Sequence, residues 1–315
     1  MIAFCVESSH ARGMGHLFRS CLLARSFSDA GHPSKFYVGD HLAGIELLKR
    51  RGISFEVVPL DDYERDWESA AILEDGIDSW IFDRHRTDIR SAARIKAMGI
   101  PLTTLDDRGS GAAVADLHFA ALTFEPDEPL RGKRILRGIE YLIIDPEISA
   151  HRRLRTSAEK LVVTLGGADT YGVTIKVMNL LSNAGRKATI IVGPAFAHEQ
   201  DLARESTPDF TIKRNVPSLL QEFAQHDIAI TGGGMTPFEA NASGLPCIVI
   251  ANEDFEIPVG RALQELGGAL FAGHHSKLDG SLFSLDFSVQ SMSKAALERI
   301  PIDGVSRIVE TVLSI

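Results

Sequence analysis

Short apolar runs, most without internal alternation, recur along the whole chain, and each is followed by a longer stretch with helical periodicity. In the first half the runs are IAFCV (2–6), SKFYV (34–38), SFEVV (54–58), SWIFD (79–83), LTTLD (102–106) and DLHFAA (116–121). In the second half they are LVVTL (161–165), ATIIVG (188–193), DFTIK (209–213), DIAIT (227–231) and CIVIA (247–251). A strand apolar on both faces belongs inside a parallel sheet covered on both sides. Parallel neighbours need a crossover, and the helical stretches supply it. LFRSCLLARSFSDAG (17–31) and TDIRSAARIKAMG (87–99) both end at glycine, and Thr87 or Asp88 stands at the N-cap of the second. Residues 173–183, PSLLQEFAQH (217–226) and PFEANASG (237–244) are further helical patterns. This rhythm restricts the chain to the α/β class, with parallel sheets wound by right-handed crossovers.

A chain of 315 residues is long enough for two domains of about 150 residues each. The polar stretch EISAHRRLRTSAEK (147–160) has no apolar stripe and reads as the linker. The boundary is expected near residue 155, giving domains 1–155 and 156–315, with the helical tail from about residue 289 in the second. Each half opens with a strand, a glycine-rich turn and a helix, as two Rossmann-like domains would. A net charge of −9 without a basic tail argues against nucleic-acid binding. Three cysteines without paired spacing give neither a disulfide framework nor a zinc motif. Cys5 and Cys247 lie in apolar runs and read as small buried hydrophobes. The N-terminal MIAFCVESSH is not expected to be a signal peptide, and no apolar run approaches the roughly 20 residues of a membrane span. KRRGI (49–53) and HRRLR (151–155) are too short to make a clear membrane-surface patch. The expected setting is the cytoplasm, without stable membrane insertion.

Three glycine-rich turns follow strands: GMGH (13–16), GGAD (166–169) and GGGMT (232–236). In open α/β sheets ligands bind outside the carboxyl ends of strands, where glycine lets backbone approach and a following helix offers free amides. Either these turns are only tight connections or they cradle a ligand such as a diphosphate. None is a P-loop, and Phe18 breaks the GxGxxG pattern in the first. Thr236 can cap the helix that follows the third, with Pro237 at its first position and Glu239 in its first turn. A carboxylate there can accept hydrogen bonds from vicinal ribose hydroxyls, or it can simply complement the helix dipole.

His16 stands at a helix start, where the dipole disfavours an imidazolium and leaves the ring free to act as a base. Arg19 shares its face three residues on and can meet a phosphate or carboxylate. Asp83 ends one strand, with His85 just beyond, and Asp106 and Asp107 end another. Of these, Asp83 and Asp107 are expected to join His16 in catalysis. Asn252 and Glu253 follow CIVIA in the same way, and His274 and His275 read as surface residues. No metal or cofactor is expected.

Together these motifs resemble a known group. ESSHARGMGHLFRSCLLA (7–24) is similar to the start of the UDP-sugar hydrolases of pseudaminic acid biosynthesis and the related spore-coat polysaccharide proteins, which carry Gly-x-Gly-His-x-x-Arg before a leucine-rich helix. LDDRG (105–109), VTLGGADTYG (163–172) and AITGGGMTPFEANASGLPCIVIANE (229–253) follow in the order found in that group. The last segment also resembles the lipid II N-acetylglucosaminyltransferase. Three departures touch the sugar-facing side. Asp83-Arg84-His85-Arg86 stands where the hydrolases often carry Asp-His-Tyr, Cys5 or Val6 stands where an arginine usually ends the first strand, and Glu253 stands where a glutamine is common.

The resemblance implies a GT-B fold, with two Rossmann-like domains whose parallel sheets face a central cleft. It implies a UDP-sugar as ligand, with Glu239 on the ribose and Gly233, Gly234, Met235 and Thr236 at the diphosphate. Gly13, Gly15, Arg19, Gly167, Asp169 and Asn252 would line the site. His16 would act at the anomeric carbon, and hydrolysis would release UDP and a free amino-deoxysugar. A glycosyltransferase using the same donor, and a binding protein without chemistry, are the alternatives.

Overall fold

The computed structural model describes every residue except 10–12, 125–128, 215 and 281–287, so the middle of the ESSHARGMGH stretch lies outside the described residues. The chain divides into two compact units, Met1–Ile144 with Asp303–Ile315, and Asp145–Ile302.

In the first unit the order is β1 (Ile2–Val6), α1 (Gly15–Asp29), β2 (Ser34–Val38), α2 (Leu42–Arg50), β3 (Phe55–Val57), α3 (Glu68–Asp75), β4 (Ser79–Asp83), α4 (Ile89–Ala97), β5 (Leu102–Leu105), β6 (Leu117–Ala120) and β7 (Arg134–Arg137). The seven strands are parallel in the order β3-β2-β1-β4-β5-β6-β7. In the second unit β8 (Leu161–Thr164), α5 (Val173–Asn183), β9 (Ala188–Val192), α6 (Glu199–Glu205), β10 (Phe210–Arg214), α7 (Leu219–Gln225), β11 (Ile228–Gly232), α8 (Thr236–Ala242), β12 (Cys247–Ala251), α9 (Ile257–Glu265), β13 (Ala269–His274) and α10 (Val289–Arg299) follow. Its sheet runs β10-β9-β8-β11-β12-β13, again parallel.

Both orders reverse at their first strand. Connections leave β1 and β8 to one side, then return to the other side through β4 and β11. That is the doubly wound Rossmann pattern, and it opens a crevice at the carboxyl ends of the two strands flanking the reversal. The loops after β1 and β4, and those after β8 and β11, therefore carry the candidate groups. Two edge strands, β7 and β13, extend the sheets beyond the apolar runs of the sequence. The charged RILR of β7 hides its pairing because side chains of an edge strand face solvent.

The unit boundary falls at 144/145, eleven residues before the expected one, and the last helix, α11 (Gly304–Leu313), belongs to the first unit rather than the second. Val305, Ile308, Val309 and Val312 of α11 join the core that contains Leu17, Leu23 and Phe27 of α1. The supposed linker is polar for another reason. Its arginines cap helix ends of the second unit: Arg155 is fully buried and donates to Phe223 O (2.8 Å) and Ser243 O, while Arg152 donates to Ala242 O (2.9 Å). Carbonyls in the last turn of a helix lack internal partners, and these cations supply them. All three cysteines are free and buried. Among the described residues no helix is long and apolar enough to cross a membrane.

Candidate functional site

In the first unit the alternation of β4 sends Ile81 and Asp83 to the face that α1 covers, and register sets Val6 beside Asp83. On α1, residues 16, 19 and 20 share one face at helical spacing. All three converge on the Asp83 carboxylate. His16 Nδ1 lies 2.6 Å from Oδ1. Arg19 donates from Nε (3.1 and 3.0 Å) and from Nη2 (2.6 Å), and Ser20 Oγ donates to Oδ2 at 2.7 Å.

Asp83 is completely buried, whereas the His16 side chain is 22% exposed, so only the imidazole is open to a ligand. Burial works against the Asp83 charge, yet Arg19 and His16 hold its carboxyl well below the usual carboxylate range. An ionised carboxylate only accepts, so the proton between the pair sits on His16 Nδ1. With Nδ1 committed to Asp83, Nε2 is the nitrogen that carries the lone pair whenever the ring is neutral. Arg19 Nη2 lies 3.3 Å from the same Nδ1, a contact between two donors that adds no bond.

Arg19 also reaches a second carboxylate: Nη1 donates to Asp106 Oδ2 at 2.6 Å. Sequence reasoning chose Asp107 as the catalytic partner, but the structure brings Asp106 to the cluster. Asp107 is built into different bonds, with Oδ1 accepting from the amides of Thr87 (2.9 Å) and Gly109 (2.7 Å). It ties the loop after β4 to the loop after β5. Burial pushes its carboxyl up against the pull of those donors. Gly13 (φ +72°) pairs across the turn with Ser9, and Gly15 is the first residue of α1. Arg84 is buried and donates to Leu60 O (3.1 Å) and Asp61 (2.8 Å), so it serves the fold.

In the second unit Asp169 (φ +45°) caps α5, its carboxylate accepting from the amides of Val173 and Thr174 at 2.8 Å each. Gly167 O accepts from the amide of Ala195 at 2.9 Å, and the space beside it is closed by Gly193. After β11, α8 begins at Thr236 with Met235 at its N-cap position, one residue earlier than expected, and Thr236 makes no cap bond. Glu256 Oε2 accepts from the amides of Gly233 (3.2 Å) and Asn252 (2.7 Å), locking two turns together.

Glu239 lies half-buried in the first turn of α8, and its carboxylate has no hydrogen-bond partner among the described residues. Burial, with Asp145 adding to it, pushes that carboxyl up to about 7. Asn252 Oδ1 is buried without a partner. Glu253 accepts from Tyr171 Oη (2.8 Å), and the Tyr171 ring stacks on His275 at 4.6 Å. His275 is thus engaged in contacts rather than a bare surface residue, and Lys176 Nζ lies 3.1 Å from its Nδ1. The sequence held a signal for Ser20, four residues after His16, but none for Glu256 or the Tyr171–His275 stack. Among the described residues no His, Cys, Asp and Glu cluster could hold a metal ion.

No protein-family model matches the chain. A 149-residue segment is 26% identical to the spore coat polysaccharide biosynthesis protein SpsG of Bacillus subtilis (strain 168), covering 44% of this chain and 44% of that protein. The match therefore spans less than half the length of the curated relative. Solved structures match over almost the whole chain. MurG of Acinetobacter baumannii gives a TM-score of 0.69 at 12% identity, covering 100% of this chain and 99% of its own. Glycosyltransferase VinC in complex with dTDP gives 0.63 at 15% identity, covering 99% and 98%. Anabaena Alr3699/HepE in complex with UDP and glucose gives 0.63 at 14% identity, covering 100% and 99%. At such identities the likeness is one of fold, and it agrees with the two strand orders: this chain has the two-domain GT-B fold.

Proposed function

We propose that this chain is a GT-B glycosyltransferase that takes a sugar from a nucleoside diphosphate donor. The observation that carries this reading is the His16–Asp83 pair, in which a buried carboxylate fixes one imidazole nitrogen and leaves the other basic and open. Nε2 takes the proton of an acceptor hydroxyl as its oxygen bonds to the anomeric carbon. The bond from that carbon to the diphosphate oxygen breaks, and the nucleoside diphosphate leaves with the electron pair.

The second unit binds the leaving group. The amides of Gly234, Met235 and Thr236, which Glu256 does not occupy, meet the diphosphate at the head of α8. Glu239 accepts from the ribose hydroxyls, and Asn252 Oδ1 accepts from the ligand beside it. Asp169 and Gly167 act as frame, since their polar groups are already bonded within the unit.

Hydrolysis is the second reading. The Gly13-Met14-Gly15-His16…Arg19 motif favours it, because the same base activates water when no acceptor is held. One experiment addresses both. The protein is incubated with UDP-, dTDP-, GDP- and CMP-sugars, with and without a mixture of sugar alcohol acceptors, and nucleotide release is followed. Release that needs an acceptor and disappears in His16→Ala supports transfer. Equal release without an acceptor supports hydrolysis, and no release from any donor sinks both.

A further inference from the structure

We propose that Asp106 is a positioning residue for His16, acting through Arg19. This inference rests on the reading above, in which His16 is the base.

Arg19 stands between two carboxylates, with Nε and Nη2 on Asp83 and Nη1 on Asp106. Its side chain is 6% exposed, and those of Asp83 and Asp106 are 0% and 13% exposed, so the charges interact with little solvent screening. Without Asp106 the guanidinium would neutralise Asp83 on its own, and the carboxylate would have little hold on an imidazolium. With it, two negative groups face one positive group. The surplus negative charge faces the His16 ring, whose Nδ1 lies 2.6 Å from Asp83. Asp106 thereby lets Arg19 orient Asp83 while leaving that carboxylate free to support a charged His16.

The backbone is built around this contact. Asp106 is one of two described non-glycine residues at positive φ (+48°), a conformation that disfavours most side chains. Its amide donates to Phe119 O (2.7 Å), and its Oδ1 accepts from the amide of Leu122 (2.8 Å). The strand alternation ends at Leu105, and the left-handed residue turns its own carboxylate toward α1.

Two variants separate charge from backbone. Asp106→Asn tolerates the same φ and keeps an oxygen for Leu122, and Asp106→Gly suits that φ better than any other residue. Both should fold, and both remove the charge. In each, kcat should fall about 10- to 100-fold with KM within about twofold, because the interaction acts on the base and not on donor binding. Asp106→Glu should recover part of the loss.

The second readout needs no substrate: the Nδ1 proton of His16, followed by NMR in the free protein with 15N-labelled histidine. It should weaken or shift in Asn and Gly variants and persist in Asp106→Glu. If the wild-type protein turns over no nucleotide sugar, the function reading fails while this spectrum still tests Asp106. A wild-type spectrum in both charge-removing variants overturns the inference. So does a kcat loss without a spectral change, since Asp106 would then act otherwise than through His16.

Discussion

At the reversal point of the first sheet, His16, Arg19, Ser20 and Asp83 use their donors and acceptors on one another. At that of the second, Glu239 and Asn252 hold oxygens that no described residue meets. Two crevices of the same topology are thus in opposite states. A saturated cluster is rigid before any ligand arrives, which suits a group that must present one lone pair in one direction. Polar atoms left without partners in partly buried positions suit a ligand whose hydroxyls complete them. The contrast fits the proposed division of chemistry to the first unit and recognition to the second, and each substitution below should disturb one and spare the other.

The largest effect is expected from His16→Ala. Loss of a general base typically removes about 10²- to 10⁴-fold in kcat. Calorimetric titration of UDP should give an affinity within about twofold of wild type, because the proposed nucleotide site lies in the second unit. A large loss of UDP affinity would break the division of labour.

Asp83→Asn comes next, and it acts on stability as well as turnover. Breaking a buried ion pair costs up to about 3–5 kcal/mol, and the second carboxylate on Arg19, Asp106, offsets part of that cost. The expected readout is a lower urea midpoint with an unchanged slope. The pH dependence has a definite sign. The folded carboxyl lies below its ordinary value of 3.8, so its contribution is complete above that value and fades as pH falls through the depressed one. Wild type and variant should therefore converge in stability in strong acid, and their difference should reach its full size by about pH 4 and stay constant above it.

Glu239→Gln tests the other crevice. Losing two charge-assisted bonds from ribose should weaken UDP about tenfold. Folding should respond in the opposite sense to Asp83. The folded carboxyl is raised from 4.5 to about 7, so ionising it opposes folding as pH rises through that window. The Gln variant should be no less stable than wild type at pH 8. In the wild-type protein, UDP affinity should grow from pH 6 to pH 8 as the carboxylate forms, and the variant should lack that rise. A flat wild-type profile would take Glu239 out of nucleotide binding.

Much of this arrangement was legible in the residues. The apolar runs located eleven of the strands, because parallel strands buried on both faces leave an unbroken signal. The glycine turns marked strand ends, and helical spacing linked His16 to Arg19. Strand β7 escaped because RILR is charged and mostly exposed, so no apolar run marks it. The unit boundary was misjudged because arginines bonded to helix carbonyls look like a solvated linker. Glu256 left no trace because its two amide contacts come from separate loops. The adjacent Asp106 and Asp107 show the limit most directly. Continued alternation past Leu105 would aim Asp107 at α1, and only the left-handed backbone at Asp106 reverses that choice.

The smallest effect follows from the same pair. Asp107→Asn keeps an oxygen for the amides of Thr87 and Gly109 and replaces Oδ2, which is buried without a partner. Burial already disfavours the charge, so a neutral amide removes an unfavourable ionisation instead of a favourable pairing. Stability should change by less than about 1 kcal/mol. The difference should move in the variant's favour as pH rises from about 3 to 7, because only wild type must ionise a raised carboxyl. Turnover should stay within about twofold, against the larger loss expected for Asp106→Asn one residue away. Thermal melts at both pH values, with initial rates alongside, check the prediction. If the two neighbours respond alike, the turn at residue 106 does not sort one carboxylate to the site and the other to the loop.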